Sequence, residues 1–283
     1  YDTRVKHWRL GALNEYERFK LNQLDLSIYD AEWVSEFDGA DSVIHLAARA
    51  GVRQSVLNPR VYMSSNVDGT LNVLEAMREN NLKNLVMAST SSLYGANTDQ
   101  PYKEESDSSR TLSPYAASKK GAEALVYTYH HLYDFDTQIL RFFTVYGPAG
   151  RPDMSIFKFV QAVIEGSELN LYGDGGERDF TYVDDIASGV ILATEQSGHN
   201  IINLGGDNPV KIKQIIEIIE DITGLDSQVR VMERDPSDVP STWADITRAK
   251  DILNWKPYIS IEEGIKSVVD WYMANRDWAK TVR

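Results

Sequence analysis

Three short apolar runs, separated by long stretches of helical periodicity, constrain this chain more than any other feature. Asp41-Ser-Val-Ile-His-Leu46, Lys83-Asn-Leu-Val-Met-Ala88 and Thr137-Gln-Ile-Leu-Arg-Phe-Phe143 read as buried strands, because their apolar residues are continuous rather than alternating. Between them the pattern predicts helices at about 59–80 and 113–133. Ser113 supplies an N-cap for the second, and Pro114 occupies its first helical position, where a missing N–H costs nothing. Strands that alternate with helices at this spacing build a parallel sheet with helices on both faces. The expected fold class is α/β, a doubly wound parallel sheet.

Beyond residue 146 the pattern loosens. Gly147-Pro148, Gly173-Asp-Gly-Gly176 and Pro236–Pro240 punctuate shorter elements, with helices expected at about 154–166, 211–223 and 261–275. No polar linker separates the halves. Residues 147–283 are therefore read as a smaller lobe docked on the sheet of residues 1–146. A cleft between them, at the carboxyl ends of parallel strands, is where ligands bind in open α/β sheets.

Composition narrows the function. With 29 Lys+Arg against 42 Asp+Glu among 283 residues, the formal charge is −13, which disfavours nucleic acid or an anionic membrane as partner. The absence of cysteine excludes disulfides, thiolate catalysis and Cys-ligated metal sites. No apolar run approaches the roughly 18 residues of a membrane span. A soluble, cytoplasmic protein is expected. His45 reads as a core residue and His130-His131 has no convergent carboxylates, so no metal is expected.

The chemistry begins with Tyr115-Ala-Ala-Ser-Lys119, which sets a phenol and an ammonium one helical turn apart on one face. A nearby cation favours phenolate and makes tyrosine a usable general base. The pair alone is weak evidence, since chance predicts about 0.7 such matches in this composition, and Tyr16-Glu-Arg-Phe-Lys20 also fits the pattern. Context strengthens it. Ser89-Thr-Ser-Ser-Leu-Tyr-Gly95 follows the strand Leu85–Ala88 directly, placing hydroxyls at the carboxyl end of a central strand. Hydroxyl, phenol and ammonium together can handle a proton.

Seven segments in order carry a resemblance: VIHLAA at 43–48, SNVDGTLNVLEA at 65–76, STSSLYG at 89–95, YAASK at 115–119, RFFTVYGP at 141–148, RDFTYVDD at 178–185 and VPSTWAD at 239–245. The chain resembles the extended short-chain dehydrogenase/reductases, specifically the nucleotide-sugar 4-epimerases. The resemblance implies a Rossmann-like first part that binds NAD, with Asp25, Leu46, Ala47, Ala48, Asn66, Tyr115 and Lys119 on the cofactor side. It implies catalysis by Thr90, Tyr115 and Lys119, with Thr90 on the sugar 4-hydroxyl, Tyr115 as base and Lys119 on the nicotinamide ribose. It also implies a UDP-sugar substrate held by Arg53, Ser91, Ser92, Thr144, Arg151, Tyr172, Arg178, Arg234 and Asp238. Arg178 would meet the diphosphate and Tyr172 stack on uracil. A homodimer through the helices at 59–80 and 113–133, four in all, is implied as well.

The implied reaction is transient oxidation at C4, turnover of the 4-keto sugar, and return of hydride to its other face. Dehydration needs an acid–base pair just after the catalytic threonine, and Ser91 and Ser92 stand there instead. Gly150-Arg-Pro-Asp-Met154 resembles a segment of the UDP-glucuronate 4-epimerases, so UDP-glucuronate is favoured slightly over UDP-glucose or its N-acetyl analogue. The planar fork of Arg151 suits a sugar carboxylate, although the same arginine can merely brace a loop. Two departures stand out. Asp235 falls where relatives carry an arginine on the diphosphate, which leaves Arg234 as the substitute. The family's opening strand, GxxGxxG turn, helix and second strand are not found, and no such glycine triplet occurs elsewhere. Two expectations follow. Either the natural protein carries an N-terminal βαβ segment ahead of Tyr1, or this chain is a catalytically silent sugar-nucleotide-binding remnant whose strand near Arg18–Asp25 must move, detach or find a new neighbour.

Overall fold

The computed structural model describes residues 1–97, 99–233 and 239–282. Among these, the main sheet is parallel, with strands β1 (Val43–His45), β2 (Asn84–Thr90), β3 (Asp136–Phe142) and β7 (His199–Leu204) in the order β1-β2-β3-β7. A second sheet holds β4 (Thr144–Tyr146), β6 (Glu177–Tyr182) and β8 (Pro209–Lys211), and a third pairs β5 (Glu168–Tyr172) with β9 (Gln228–Met232). The helices in chain order are α1 (Thr3–Leu13), α2 (Ala31–Val34), α3 (Val52–Leu57), α4 (Pro59–Met63), α5 (Gly69–Glu79) and α6 (Pro114–Tyr133). They continue with α7 (Ser155–Glu165), α8 (Val183–Ala193), α9 (Ile212–Thr223), α10 (Thr247–Leu253), α11 (Ile261–Ala274) and α12 (Arg276–Ala279).

The expected strands and helices are present within a few residues of their predicted ends. Alternation along β2 shows why the sheet is covered twice: Leu85 and Met87 pack with Leu74, Met77 and Val126 of α5 and α6, while Val86 turns to Ile186, Val190 and Trp255. Ser113 caps α6 by accepting from the Ala116 N–H at 3.2 Å, with Pro114 behind it. Chain order and core do not divide at residue 146, however. β7, α8 and α10 all follow that residue, yet Ile202, Val190 and Leu253 close the outer face of the main sheet. The remaining C-terminal elements share another core, in which Ile156, Val160, Leu169, Ile215, Ile265 and Trp271 are buried together with Val5 of α1.

Two further differences have physical reasons. Residues 19–25, where a strand was expected, carry no regular structure, because no neighbouring strand among the described residues offers them a ladder. The helix expected over 59–80 is interrupted by one π-helical turn, Ser64–Asp68, between α4 and α5. Such a turn inserts a residue and re-aims the side chains around it, often beside a functional site. Here it carries Asn66 inward, where the residue is fully buried.

Candidate active site

β2 ends at Thr90, whose Oγ1 accepts from the Ser92 N–H at 3.1 Å and so starts the tight turn Ser91–Tyr94. Gly95 closes that turn at φ +53°, where a Cβ would lie 2.2 Å from the Arg110 carbonyl oxygen. Only glycine fits there. Facing this turn is the start of α6, on which Tyr115, Lys119 and Glu123 recur at four-residue spacing and so share one face. The Tyr115 hydroxyl and Thr90 are joined by a side-chain hydrogen bond, and the Tyr115 ring meets Tyr62 edge-on with centroids 6.2 Å apart.

Charge around the phenol is set from a distance. Burial pushes Tyr115 up, while the hydrogen bond to Thr90 and the positive charge of Arg151 pull it back. The expectation gave this electrostatic role to Lys119, its neighbour along the helix. In the structure Arg151 is a further cation that acts on Tyr115. Lys119 is only 2% exposed, and burial lowers it to about 8 against the opposing charge of Glu123. His45 packs near it and is held neutral by burial and by the Lys119 charge, its Nε2 within 3.0 Å of the Thr70 hydroxyl. That makes His45 the satisfied core residue expected.

Arg151 itself is held from one side. Asp153 accepts from its Nε at 3.0 Å and from its Nη2 at 2.5 Å. Burial lowers and Asp153 raises the Arg151 pKa, with a net upward shift, so the guanidinium remains charged. The paired carboxyl of Asp153 stays low despite its own burial. Beyond Thr90 opens a cavity of about 180 Å³ lined by Ser91, Ser92, Thr144 and Arg178. It brings together four expected substrate residues from the turn after β2, from β4 and from β6. Val52, Tyr102 and Thr242 also line it, and sequence reasoning missed them. Thr242 alone had a signal, its place inside the VPSTWAD segment.

The other expected residues are placed as follows. Arg53 lies over the Tyr172 ring, 4.9 Å from its centroid, so one face of that ring already meets a cation. Leu46, Ala47 and Ala48 follow β1 and stand exposed. Asn66 bonds both the N–H and C=O of Arg49 and the Ser118 hydroxyl, so it ties the segment after β1 to α6. Asp25 accepts from the Ser27 N–H and hydroxyl in an exposed turn. Arg234 and Asp238 lie outside the described residues. Tyr16, of the second Tyr–Lys match, sits 70% exposed in a turn rather than on a helix face.

An NAD-type cofactor fits this side of the sheet on two observations. Lys119 is 2% exposed as a residue, and among the described residues no side chain accepts a hydrogen bond from its ammonium. The small side chains of Ala47 and Ala48 leave the carboxyl end of β1 open beside it.

Comparison with known proteins gives a consistent picture. The family model described as "NAD dependent epimerase/dehydratase family" matches residues 2–205. A UDP-glucuronate 4-epimerase of Thermodesulfobacterium geofontis is 50% identical over 286 residues, covering 100% of this chain and 88% of the relative. The crystal structure of UDP-glucuronic acid 4-epimerase from Bacillus cereus, in complex with UDP-glucuronic acid and NAD, superposes with a TM-score of 0.90 at 32% identity, over 96% of this chain and 87% of that one. DesIV, a dTDP-glucose 4,6-dehydratase from Streptomyces venezuelae with NAD bound, reaches 0.91 at 28% identity, over 98% and 86%. Backbone similarity therefore does not separate epimerisation from dehydration, and the side chains after β2 must.

Proposed function

The chain belongs to the NAD dependent epimerase/dehydratase family, and from that premise we propose that it interconverts the C4 epimers of a UDP-sugar, with UDP-glucuronate the favoured substrate. The observation that carries this reading is the placement of Tyr115 between Thr90 and the Arg151 cation. NAD, when bound, supplies a reversible hydride acceptor for C4. Thr90 orients the 4-hydroxyl, and Tyr115 as phenolate takes its proton. Lys119 holds the nicotinamide ribose, alongside Leu46, Ala47 and Ala48. Asn66 acts through the Arg49 backbone, and Asp25 meets the adenine end. On the return step Tyr115 gives the proton back to the oxygen at C4, now on the opposite face of the sugar. No net oxidation results.

Ser91 and Ser92 decide against dehydration, because neither hydroxyl exchanges protons at neutral pH as a paired carboxylic acid and carboxylate do. Thr144 and Arg178 face the sugar nucleotide across the same cavity, with Arg178 on the diphosphate. Tyr172, backed by Arg53, offers its remaining face to uracil. Arg151 supports the glucuronate choice. Asp153 engages its Nε edge, and a second carboxylate can approach its Nη groups as a planar, bidentate partner.

In Arg151→Ala, kcat/KM for UDP-glucuronate is expected to fall roughly 10- to 100-fold, the loss of a hydrogen bond to a charged group. UDP-glucose, whose C6 bears a hydroxymethyl, should lose only the smaller share that the Arg151 charge contributes at Tyr115, which both sugars lose alike. Initial rates on the two substrates measure this, and equal losses would count against the glucuronate choice. Association is the second part of the proposal. α4, α5 and α6 leave Met63, Leu71 and Leu132 exposed, and two copies of this helix pair would form a four-helix homodimer. Light scattering at micromolar concentration should return the dimer mass; a monomer would refute it.

A further inference from the structure

We propose that Arg9 of α1 is a specificity-positioning residue, which holds the turn Ala149–Arg151 so that Arg151 points at the reacting end of the sugar. This rests on the reading of Arg151 as the carboxylate partner. Arg9 is 140 residues from Ala149 in sequence, yet its Nε donates to the Ala149 carbonyl at 3.0 Å and its Nη2 donates to the same oxygen. Two donors converging on one carbonyl fix the plane of the peptide that follows. That peptide leads through Gly150 directly to Arg151.

The turn needs holding. Ala149 is 2% exposed and has φ +50°, a conformation that residues with a Cβ seldom adopt and that persists where surrounding contacts enforce it. The remaining Arg9 nitrogen, Nη1, donates to the Tyr1 hydroxyl at 3.0 Å, which braces the guanidinium from behind. The helix that carries Arg9 is docked by other means. Val5 is fully buried in the C-terminal core, Trp8 meets Trp271 edge-on at 5.5 Å, and the Arg4 Nη1 donates to the Thr281 hydroxyl at 2.8 Å. Arg9 is thus spare for positioning.

Two restraints then act on Arg151 from opposite ends. Asp153 grips the guanidinium, and Arg9 sets the backbone from which the side chain springs. At its far end Arg151 Nη2 lies 3.7 Å from where a Cβ would stand on Gly51, beside Tyr62 and close to Tyr115. Small displacements of a positioning group can cost as much as about a hundredfold in rate.

The test compares Arg9→Ala with Arg4→Ala, which loosens the same helix without touching the turn. Expected in Arg9→Ala is a loss of about tenfold in kcat/KM for UDP-glucuronate, a loss under about twofold for UDP-glucose, and partial rescue in Arg9→Lys. Arg4→Ala should leave the ratio unchanged, and Arg9→Ala should add nothing to Arg151→Ala. Equal losses on both sugars, the same loss from Arg4→Ala, or losses that add to those of Arg151→Ala would each overturn the proposal. Hydrogen exchange at the amides of residues 149–154 gives the readout that does not depend on substrate. If Arg151→Ala itself fails to discriminate the sugars, the carboxylate reading falls, while faster exchange in Arg9→Ala alone would still uphold Arg9 as the restraint on the turn. Unchanged exchange would remove that too.

Discussion

Tyr115→Phe should lower the epimerisation rate by about 10²–10⁴, the range that a positioned acid–base group contributes, while the protein keeps its fold. The ring survives the substitution, and so does its edge-on contact with Tyr62. What disappears is the hydroxyl that shares a hydrogen bond with Thr90. The acting form is the phenolate, so the wild-type rate should climb with pH as Tyr115 ionises. Burial opposes that ionisation, and Thr90 and Arg151 assist it. Initial rates from separated UDP-sugars, together with a thermal melt of each protein, measure both halves of the expectation. A variant that retains more than about a tenth of the rate would remove Tyr115 from the role of base.

Arg141→Ala is expected to be the most destabilising single change, by about 3–5 kcal/mol, because it leaves the buried Glu123 carboxylate with only the partly exposed Lys120 ammonium, 3.5 Å away. Arg141 is 1% exposed and donates through Nε and Nη2 to both oxygens of Glu123, at 3.0 and 2.9 Å, with Glu123 itself 4% exposed. Nη1 reaches the Tyr94 hydroxyl and the Glu104 carbonyl, and the Ser89 hydroxyl donates to Glu123 at 2.7 Å. This network ties β2, α6 and β3 together behind the catalytic face. Against a net stability of roughly 5–15 kcal/mol, the loss is a large fraction of the whole. Denaturant unfolding should show it as a shifted midpoint, and a double substitution, Arg141→Met with Glu123→Leu, should restore most of it. If Arg141→Ala costs under about 1 kcal/mol, the pair does not carry the stability assigned to it. Burial pushes Glu123 up, but the Arg141 hydrogen bonds hold it below its ordinary 4.5. The stabilisation is therefore present above that value and is lost as pH falls through the lower, folded pKa.

Much of the architecture was legible because its signals are local. Ser113 and Pro114 mark the start of α6 within four residues, and the YxxxK spacing alone puts Tyr115 and Lys119 on one face of it. Continuous apolar runs announced β2 and β3 as strands buried on both sides, whereas β1, read the same way, leaves Ile44 43% exposed. The π turn at Ser64–Asp68 was not legible, since nothing in its composition separates it from the α-helix on either side. Nor was β7, whose run His199–Leu204 mixes polar and apolar residues and takes its place in the main sheet from contact with β3.

The site divides along the same line. By itself the sequence determined which chemistries are available: a phenol one turn from an ammonium, hydroxyls at the end of a parallel strand, and arginines in loops beyond them. Only the tertiary structure decided which of these groups act on one another. Arg151 presents its charge to Tyr115, Arg53 covers one face of Tyr172, and Arg9 reaches the Ala149 carbonyl. These pairs are joined across 36 to 140 positions of chain. Periodicity and capping act over a few residues, through bonds that each turn makes with the next. Which loop meets which is settled by how three cores pack against one another, and no short-range pattern encodes that.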